Sequence, residues 1–469
     1  MSATSVSARI RRPAGGDRTL LLANVGARVG ALVSLGAATV LVARTGGPEA
    51  VGLLALLRVL PGLVGVMVSC GLPGAVPYFL SSSRARSGPV RDDGATAGAS
   101  VRATLLGLDV AGALAAGLVW LVGAPLLHRV FFAAQPLALV AWCASAVLTQ
   151  QLVAVGKALL QGGDDLGAAN TAILAEEAAF LPAFLPLLPI LRGPALLLAA
   201  LVAADVLVAA GIYLRLWRRG FFAGLRTTRP HRRLAREVTR YGARGQLGSL
   251  LLLLNLRLDF ALLGALAGPA VLGVYSVASK YAELLRLPGL AVSYVLYPRF
   301  ARQGAWVART RTRQALPRAA ALTALAALPL AASAPLLLPV VYGRQFAPAV
   351  GPALILLGGL VLDGAAGLVT AYLYATRRPG RNSAAMAAGV AVTAVLDVLL
   401  IPRLAAVGAA LASAAAYLVT TGVLVTVFAV TRGRPDGSRA APGDDRRAGG
   451  GERAERADEP GSARDLEVT

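Results

Sequence analysis

The sequence predicts an all-α polytopic membrane protein of about twelve transmembrane helices, arranged as two pseudo-symmetric six-helix lobes around a central cavity. Three observations predict it. The 469 residues are 56% hydrophobic with a mean hydropathy of +0.66, whereas soluble chains are about 45–50% apolar. The apolar runs reach the roughly 20 residues that a helix needs to cross a bilayer. Basic residues alternate between rich and poor connections, the signature of a membrane chain with its rich loops inside. The formal net charge of +22 lies in short loops between apolar runs, so it sets orientation and offers no folded basic face for nucleic acid.

The N-terminal tail, residues 1–18, carries Arg9, Arg11, Arg12 and Arg18. The run at 19–43 exceeds the roughly 7–15 residues of a cleaved signal's apolar core, so it reads as a retained first span. Spans at 50–80, 103–127, 137–160, 168–191 and 194–217 complete an N-lobe over 19–217. A basic stretch over 218–244 follows. It reads either as a solvated linker or as an interfacial amphipathic helix turning Phe221, Phe222 and Leu225 to lipid. The C-lobe over 245–430 has spans at 245–267, 270–298, 316–342, 347–375, 382–402 and 404–430. The second, eighth and tenth runs are long enough to be tilted or broken. The tail at 431–469 is poor in large apolar residues, buries no core and is expected to be disordered.

The rich connections hold groups such as Arg84, Arg86, Arg91 and Arg102, and Arg377, Arg378 and Arg381, while the alternate ones hold Arg44, Arg129, Arg192, Arg344 and Arg403 singly. A plasma-membrane protein with both termini cytoplasmic is therefore expected. The lobes echo each other. Gly47-Pro48-Glu49-Ala50-Val51-Gly52 follows the first span, and Gly268-Pro269-Ala270-Val271-Leu272-Gly273 follows the seventh. Pro suits a first helical turn and Gly a tight turn. Two parallel repeats place a pseudo-two-fold axis along the membrane normal, with a substrate path between the halves.

Charges inside the spans point to that path, because an ionised group at the bilayer centre costs about 2.5–3.5 kcal/mol on insertion scales. Arg28 and Arg58 in the first two spans, and Arg257 and Lys280 in the seventh and eighth, are the candidates to hold an anion, since guanidinium groups clamp phosphate through two hydrogen bonds. Asp109, Glu176, Glu177, Asp205, Asp259, Glu283 and Asp363 are candidate coupling or cavity carboxylates. For each acid the plain alternative is an interhelical hydrogen bond. Lys280, Glu283 and Arg286 recur every three residues and mark one helix face. Asp397 is a single acid in the eleventh span, and Lys157 lies near the end of the fourth, where it is expected to snorkel. Cys70 and Cys143 form no C-x-x-C pair, and His128 and His231 have no zinc-type spacing, so neither metal nor cofactor is expected. The sequence contains no G-x-x-x-x-G-K-[ST] nucleotide loop.

The stretch Leu256-Arg257-Leu258-Asp259 through Gly264, then Leu272-Gly273-Val274-Tyr275-Ser276-Val277-Ala278-Ser279-Lys280, ending Tyr297-Pro298-Arg299, resembles spans seven and eight of the polysaccharide-exporter branch of the multidrug/oligosaccharidyl-lipid/polysaccharide flippase superfamily. Gly47 to Gly52 and Val407-Gly408-Ala409-Ala410 suit the same family. The resemblance implies a V-shaped bundle around a cationic cavity that flips polyprenyl-pyrophosphate-linked oligosaccharide to the outer leaflet by alternating access. Arg28, Arg58 and Lys280 lie in spans that carry cavity bases in the related lipid II flippases. Those usually have two further spans, so a chain of twelve favours the oligosaccharide branch. The partners implied are the lipid-linked glycan, membrane lipids, a coupling ion (H+ or Na+) and glycan polymerase machinery. A cation-coupled drug exporter of the same superfamily is the rival, and it would prefer an acidic cavity. A membrane glycosyltransferase is disfavoured, because the outer loops are short and hold no acid/base pair.

Overall fold

The computed structural model describes residues 14–86, 92–286, 305–376 and 378–430. Arg9, Arg11 and Arg12, the end of the eighth expected span with Tyr297-Pro298-Arg299, and the tail at 431–469 lie outside the described residues. Among the described residues there is no strand. The helices are α1 (Ala14–Val68), α2 (Leu72–Arg86), α3 (Asp92–Phe131), α4 (Leu137–Trp142), α5 (Ala144–Gly162), α6 (Leu166–Ala178), α7 (Phe180–Leu187), α8 (Gly193–Arg218), α9 (Arg232–Glu283), α10 (Ala305–Tyr342), α11 (Val350–Leu360), α12 (Asp363–Ala375) and α13 (Pro379–Val430). Seven are long and apolar enough to cross a membrane, or eight if the bent pair α11 and α12 counts as one span.

Three of the long helices are double. α1 breaks at Gly47, α9 at Gly268 and α13 at Ala405. Each therefore supplies two consecutive expected spans. α6 and α7 together take the place of the fifth, and the bent pair that of the tenth. This layout accommodates the twelve-helix, two-lobe prediction. The long second run is broken as expected: α1 gives way to α2 at Cys70 and Gly71, whose φ values are 47° and 72°.

The two echoed turns share one backbone conformation. Gly47 has φ 68°, ψ −165°, and Gly268 has φ 82°, ψ 174°. Only glycine is at ease in that region. The echoes also meet. A Cβ on Gly52 would stand 1.8 Å from the Pro269 carbonyl oxygen, and one on Gly273 would stand 1.8 Å from that of Pro48. The contact is reciprocal, as a two-fold axis through it requires. Beside it the Arg44 guanidinium donates to the carbonyls of Val340 and Val341 at the end of α10, and the Gln345 amide donates to the Ala43 carbonyl at 3.3 Å.

The apolar core reflects this joint. Its largest cluster crosses from lobe to lobe, packing Leu53, Leu56 and Leu57 of α1 with Phe260, Leu263, Leu272 and Tyr275 of α9. Toward the arginine-rich connections it divides. One cluster, including Leu80, Leu105, Leu159 and Ile212, belongs to the N-lobe. Another, with Val369, Tyr372, Leu424 and Phe428, belongs to the C-lobe. The lobes are thus fused near Gly47 and Gly268, and their cores separate toward the other end.

The basic stretch corrects one expectation. It is not an interfacial amphipathic helix over 218–244. Phe221 is buried, with the Arg102 guanidinium 5.8 Å from its ring centre, and Arg102 also donates to the Ala223 carbonyl at 2.9 Å. A 3-10 turn forms at Leu225–Thr227, and α-helix resumes only at Arg232, where His231 caps the Leu234 amide. The first turns of α9 pack on the N-lobe: Val238 is fully buried there, Tyr241 stacks on Tyr78 at 4.6 Å, and Gln246 donates to the Val66 carbonyl.

Candidate functional site

The bases expected to face a cavity fall into register because two of their helices share the same break. Arg58, Arg257 and Lys280 each stand about 16–18 Å from Gly47 or Gly268 at 1.5 Å per residue. Lys280 donates to Thr39 of α1 at 2.8 Å, a bond from one lobe to the other. Its charge interacts with those of Arg58, Glu177, Arg257 and Glu283. The Arg58 guanidinium bonds Glu177 at 2.6 Å and lies 5.4 Å from the Phe180 ring centre. Arg257 bonds Glu283 at 3.3 Å and sits 5.1 Å from the Phe260 ring centre. Three bases and two acids from both lobes therefore occupy one level of the bundle.

The N-lobe holds an open cavity of about 280 Å³ beside this cluster. Arg58, Gln150, Gln151, Glu176, Glu177, Asp205 and Ser69 supply its polar lining, and Gly62 and Gly65 part of its apolar wall. Glu176 is paired with Lys157, which corrects the snorkelling expected of that lysine. Asp205 accepts from Thr149 at 3.1 Å. This wall holds one guanidinium against three carboxyls, so the cationic cavity that the resemblance implied is lined on its N-lobe side by the candidate cavity carboxylates Glu176, Glu177 and Asp205 as well. Positive charge gathers where the lobes meet, and acids and amides line the N-lobe side. A second cavity, between α1/α2 and α9 toward the arginine-rich end, shares Val66, Ser69 and Pro73 with the first.

Other candidates lie elsewhere. Arg28 stands about 12 Å nearer the arginine-rich end than Arg58, is exposed, and donates to Asn24 at 3.2 Å. Asp109 is buried between α3 and α8, where Tyr213 donates to it at 2.8 Å. Asp363 opens α12 and lies 3.8 Å from Arg286, a place where the helix dipole favours an acid. Asp259 is buried in the C-lobe and accepts from Tyr275, from Ser413 at 3.1 Å and from the Phe260 amide at 2.9 Å. Asp397, fully buried, interacts with the Asp259 charge. Neither of its carboxylate oxygens has a hydrogen-bond partner. Thr39, Tyr275, Ser413 and the two glutamines were not singled out for the site from sequence. Uncharged residues in apolar helices give no signal of their own, although Gln150-Gln151 in mid-span is a polar pair that hydropathy alone flags.

Residues 99–351, more than half of the chain, match the family described as polysaccharide biosynthesis protein. No curated protein matches the chain in sequence. Among solved structures, an inward-facing multidrug resistance MATE transporter of the MOP superfamily superposes with TM-score 0.65 at 15% identity, over 85% of this chain and 94% of that one. The lipid II flippase MurJ, in an inward-closed conformation, gives TM-score 0.65 at 12% identity over 87% of each chain. A MOP superfamily transporter from Pyrococcus furiosus, described by the reverse polarity of its binding pocket, gives 0.54 at 14% identity over 88% and 92%. These likenesses establish a transporter fold. The chain therefore belongs to the polysaccharide biosynthesis protein family, and its helices, long and apolar enough to cross a membrane repeatedly, are arranged in the fold of those transporters.

Proposed function

We propose that the protein flips a polyprenyl-pyrophosphate-linked oligosaccharide from the inner to the outer leaflet by alternating access. The observation that carries this reading is the level of Arg58, Arg257 and Lys280, contributed by both lobes and bridged by the Lys280–Thr39 bond. A pyrophosphate arriving from the arginine-rich, cytoplasmic end meets Arg28 first and then this level. There it competes with Glu177 and Glu283 for the guanidinium groups, which favour the paired oxygens of phosphate. The prenyl chain stays in lipid, and the sugars occupy the hydrated cavities. The Gly52–Pro269 and Gly273–Pro48 contacts then part, and the head group leaves on the outer side. Asp259 and Asp397 are the coupling carboxylates in this scheme, taking up H+ or Na+ in the C-lobe. Membrane potential contributes about 2.3 kcal/mol per charge per 100 mV.

The acid-rich N-lobe wall favours one second reading, a cation-coupled multidrug exporter. A single reconstitution separates the two. Proteoliposomes are given labelled lipid-linked glycan or a cationic dye, and arrival on the far side is timed. Glycan flux that falls at least tenfold in Lys280→Ala, with no dye transport, supports the flippase. Unchanged flux at normal protein level refutes the assigned role of Lys280, and dye transport alone establishes the exporter.

A further inference from the structure

The N-lobe cavity lies beside the proposed pyrophosphate level, and its lining is of a different kind. Gln150, Gln151, Glu176, Glu177, Asp205 and Ser69 offer amides, carboxylates and a hydroxyl within about 280 Å³. That is space for one sugar ring, and the second cavity, which shares Val66, Ser69 and Pro73, adjoins it. Gln151 is only 4% exposed, and its amide nitrogen has no hydrogen-bond partner. A buried donor left unpaired is expensive, so a ligand acceptor at this place is strongly favoured. Gly62 and Gly65 lie directly against the glutamines, and the absence of their side chains leaves those amides room in the cavity wall. The glutamine oxygens lie 3.4 Å and 3.6 Å from where the glycines' Cβ atoms would be. The carboxyls have partly committed oxygens, held by Arg58, Lys157 and Thr149, so they are fixed acceptors for hydroxyl donors. With Glu177 paired to Arg58 and Glu176 to Lys157, Asp205 is the carboxyl of this lining that no cation holds, and it disfavours a carboxylate on the ligand.

From this geometry we infer that the N-lobe cavity is a subsite for a single pyranose ring bearing hydroxyl or amide groups and no acid, the sugar bonded directly to the pyrophosphate. The inference rests on the flippase reading and adds a selectivity to it: neutral or amino sugars are accepted and uronic acids rejected at that position. Charge sets the preference, and the unpaired Gln151 amide supplies a bond that only the sugar makes.

The test uses the full chain in nanodiscs and three short-prenyl pyrophosphates: bare, carrying one N-acetylhexosamine, and carrying one hexuronic acid. The neutral-sugar form is expected to bind about tenfold more tightly than the bare one, the effect of one or two added hydrogen bonds. The hexuronate is expected to bind no better than the bare form. In Gln151→Leu the neutral-sugar form loses its advantage over the bare one, and in Asp205→Asn the gap between neutral sugar and hexuronate narrows. Equal binding of bare and neutral-sugar forms overturns the subsite and leaves the cavity to water or cations. Failure of all three to bind overturns the flippase reading instead. Should Gln151→Leu fail to fold, the wild-type ranking of the three probes still decides.

Discussion

Adding one methyl group at Gly52 tests how the lobes are joined. The new Cβ would lie 1.8 Å from the Pro269 carbonyl oxygen, a backbone atom that cannot swing aside. Ordinary carbon–oxygen contacts lie at about 3.3–3.6 Å, so the two backbones must separate by roughly 1.5 Å. Forced separation of packed elements costs about 1–3 kcal/mol. An energy of that size shifts a two-state equilibrium roughly 5- to 150-fold. Gly52→Ala is therefore expected to move the population toward the form in which this end is parted. The assay is a spin-label distance between Glu49→Cys and Ala270→Cys, exposed positions one residue past Pro48 and Pro269, with Cys70 and Cys143 replaced by Ser. A longer-distance population grows in Gly52→Ala and equally in Gly273→Ala. The double variant adds little, because the first clash has already opened the second. Gly36→Ala, where a Cβ meets nothing within 4 Å, leaves the distribution as it was. A folded Gly52→Ala protein with the wild-type distribution would refute the reasoning.

Arg28→Ala is expected to reduce glycan flux by less than Lys280→Ala, since Arg28 lies outside the level that joins the lobes; initial rates in proteoliposomes decide. Asp259→Asn is expected to abolish the dependence of flux on an imposed ion gradient while facilitated exchange persists, and an unaltered gradient response removes Asp259 from coupling. Asp165, in the connection before α6, tests charge at the membrane edge. Burial raises its pKa, but hydrogen bonds from Arg215 and the Ala168 amide and the charges of Arg219 and Arg215 outweigh this and leave it lowered. A lowered carboxyl stabilises the fold above its unfolded pKa and loses that contribution as pH falls through its folded value. Asp165→Asn, which keeps a capping oxygen for α6 but removes the charge, is accordingly expected to lower stability by about 1 kcal/mol at neutral pH. In thermal unfolding the difference from wild type should vanish in strong acid. Ala405 holds φ 49° at the break in α13. Ala405→Gly relieves a strain of about 1–3 kcal/mol, and a higher unfolding midpoint is the expected reading.

Much of the architecture was legible because lipid is an uncompromising solvent. A span must be helical and apolar over its length, so the runs marked themselves, and the G-P-x-x-x-G echo located both turns on which the lobes meet. Arg257 and Lys280 were picked for the same reason: charge in such a run demands a partner or a cavity. The partners themselves were not legible. Glu177 lies 119 residues from Arg58, and Ser413 lies 154 from Asp259. Nothing in their local sequence ties them together. Arg28 showed the limit of depth reasoning, since an arginine well inside an apolar run still sits at the exposed end of a helix longer than the run.

By itself the sequence determined that this chain crosses a membrane repeatedly, in two related halves with charges withheld from lipid, because each of those properties is written in consecutive residues. Only the tertiary structure decided which charges share a level, that the echoed glycines touch one another, and that Glu176, Glu177 and Asp205 share one N-lobe wall with Arg58. Those are relations between helices far apart in the chain, fixed by how closely backbones approach and which side chains then fall opposite.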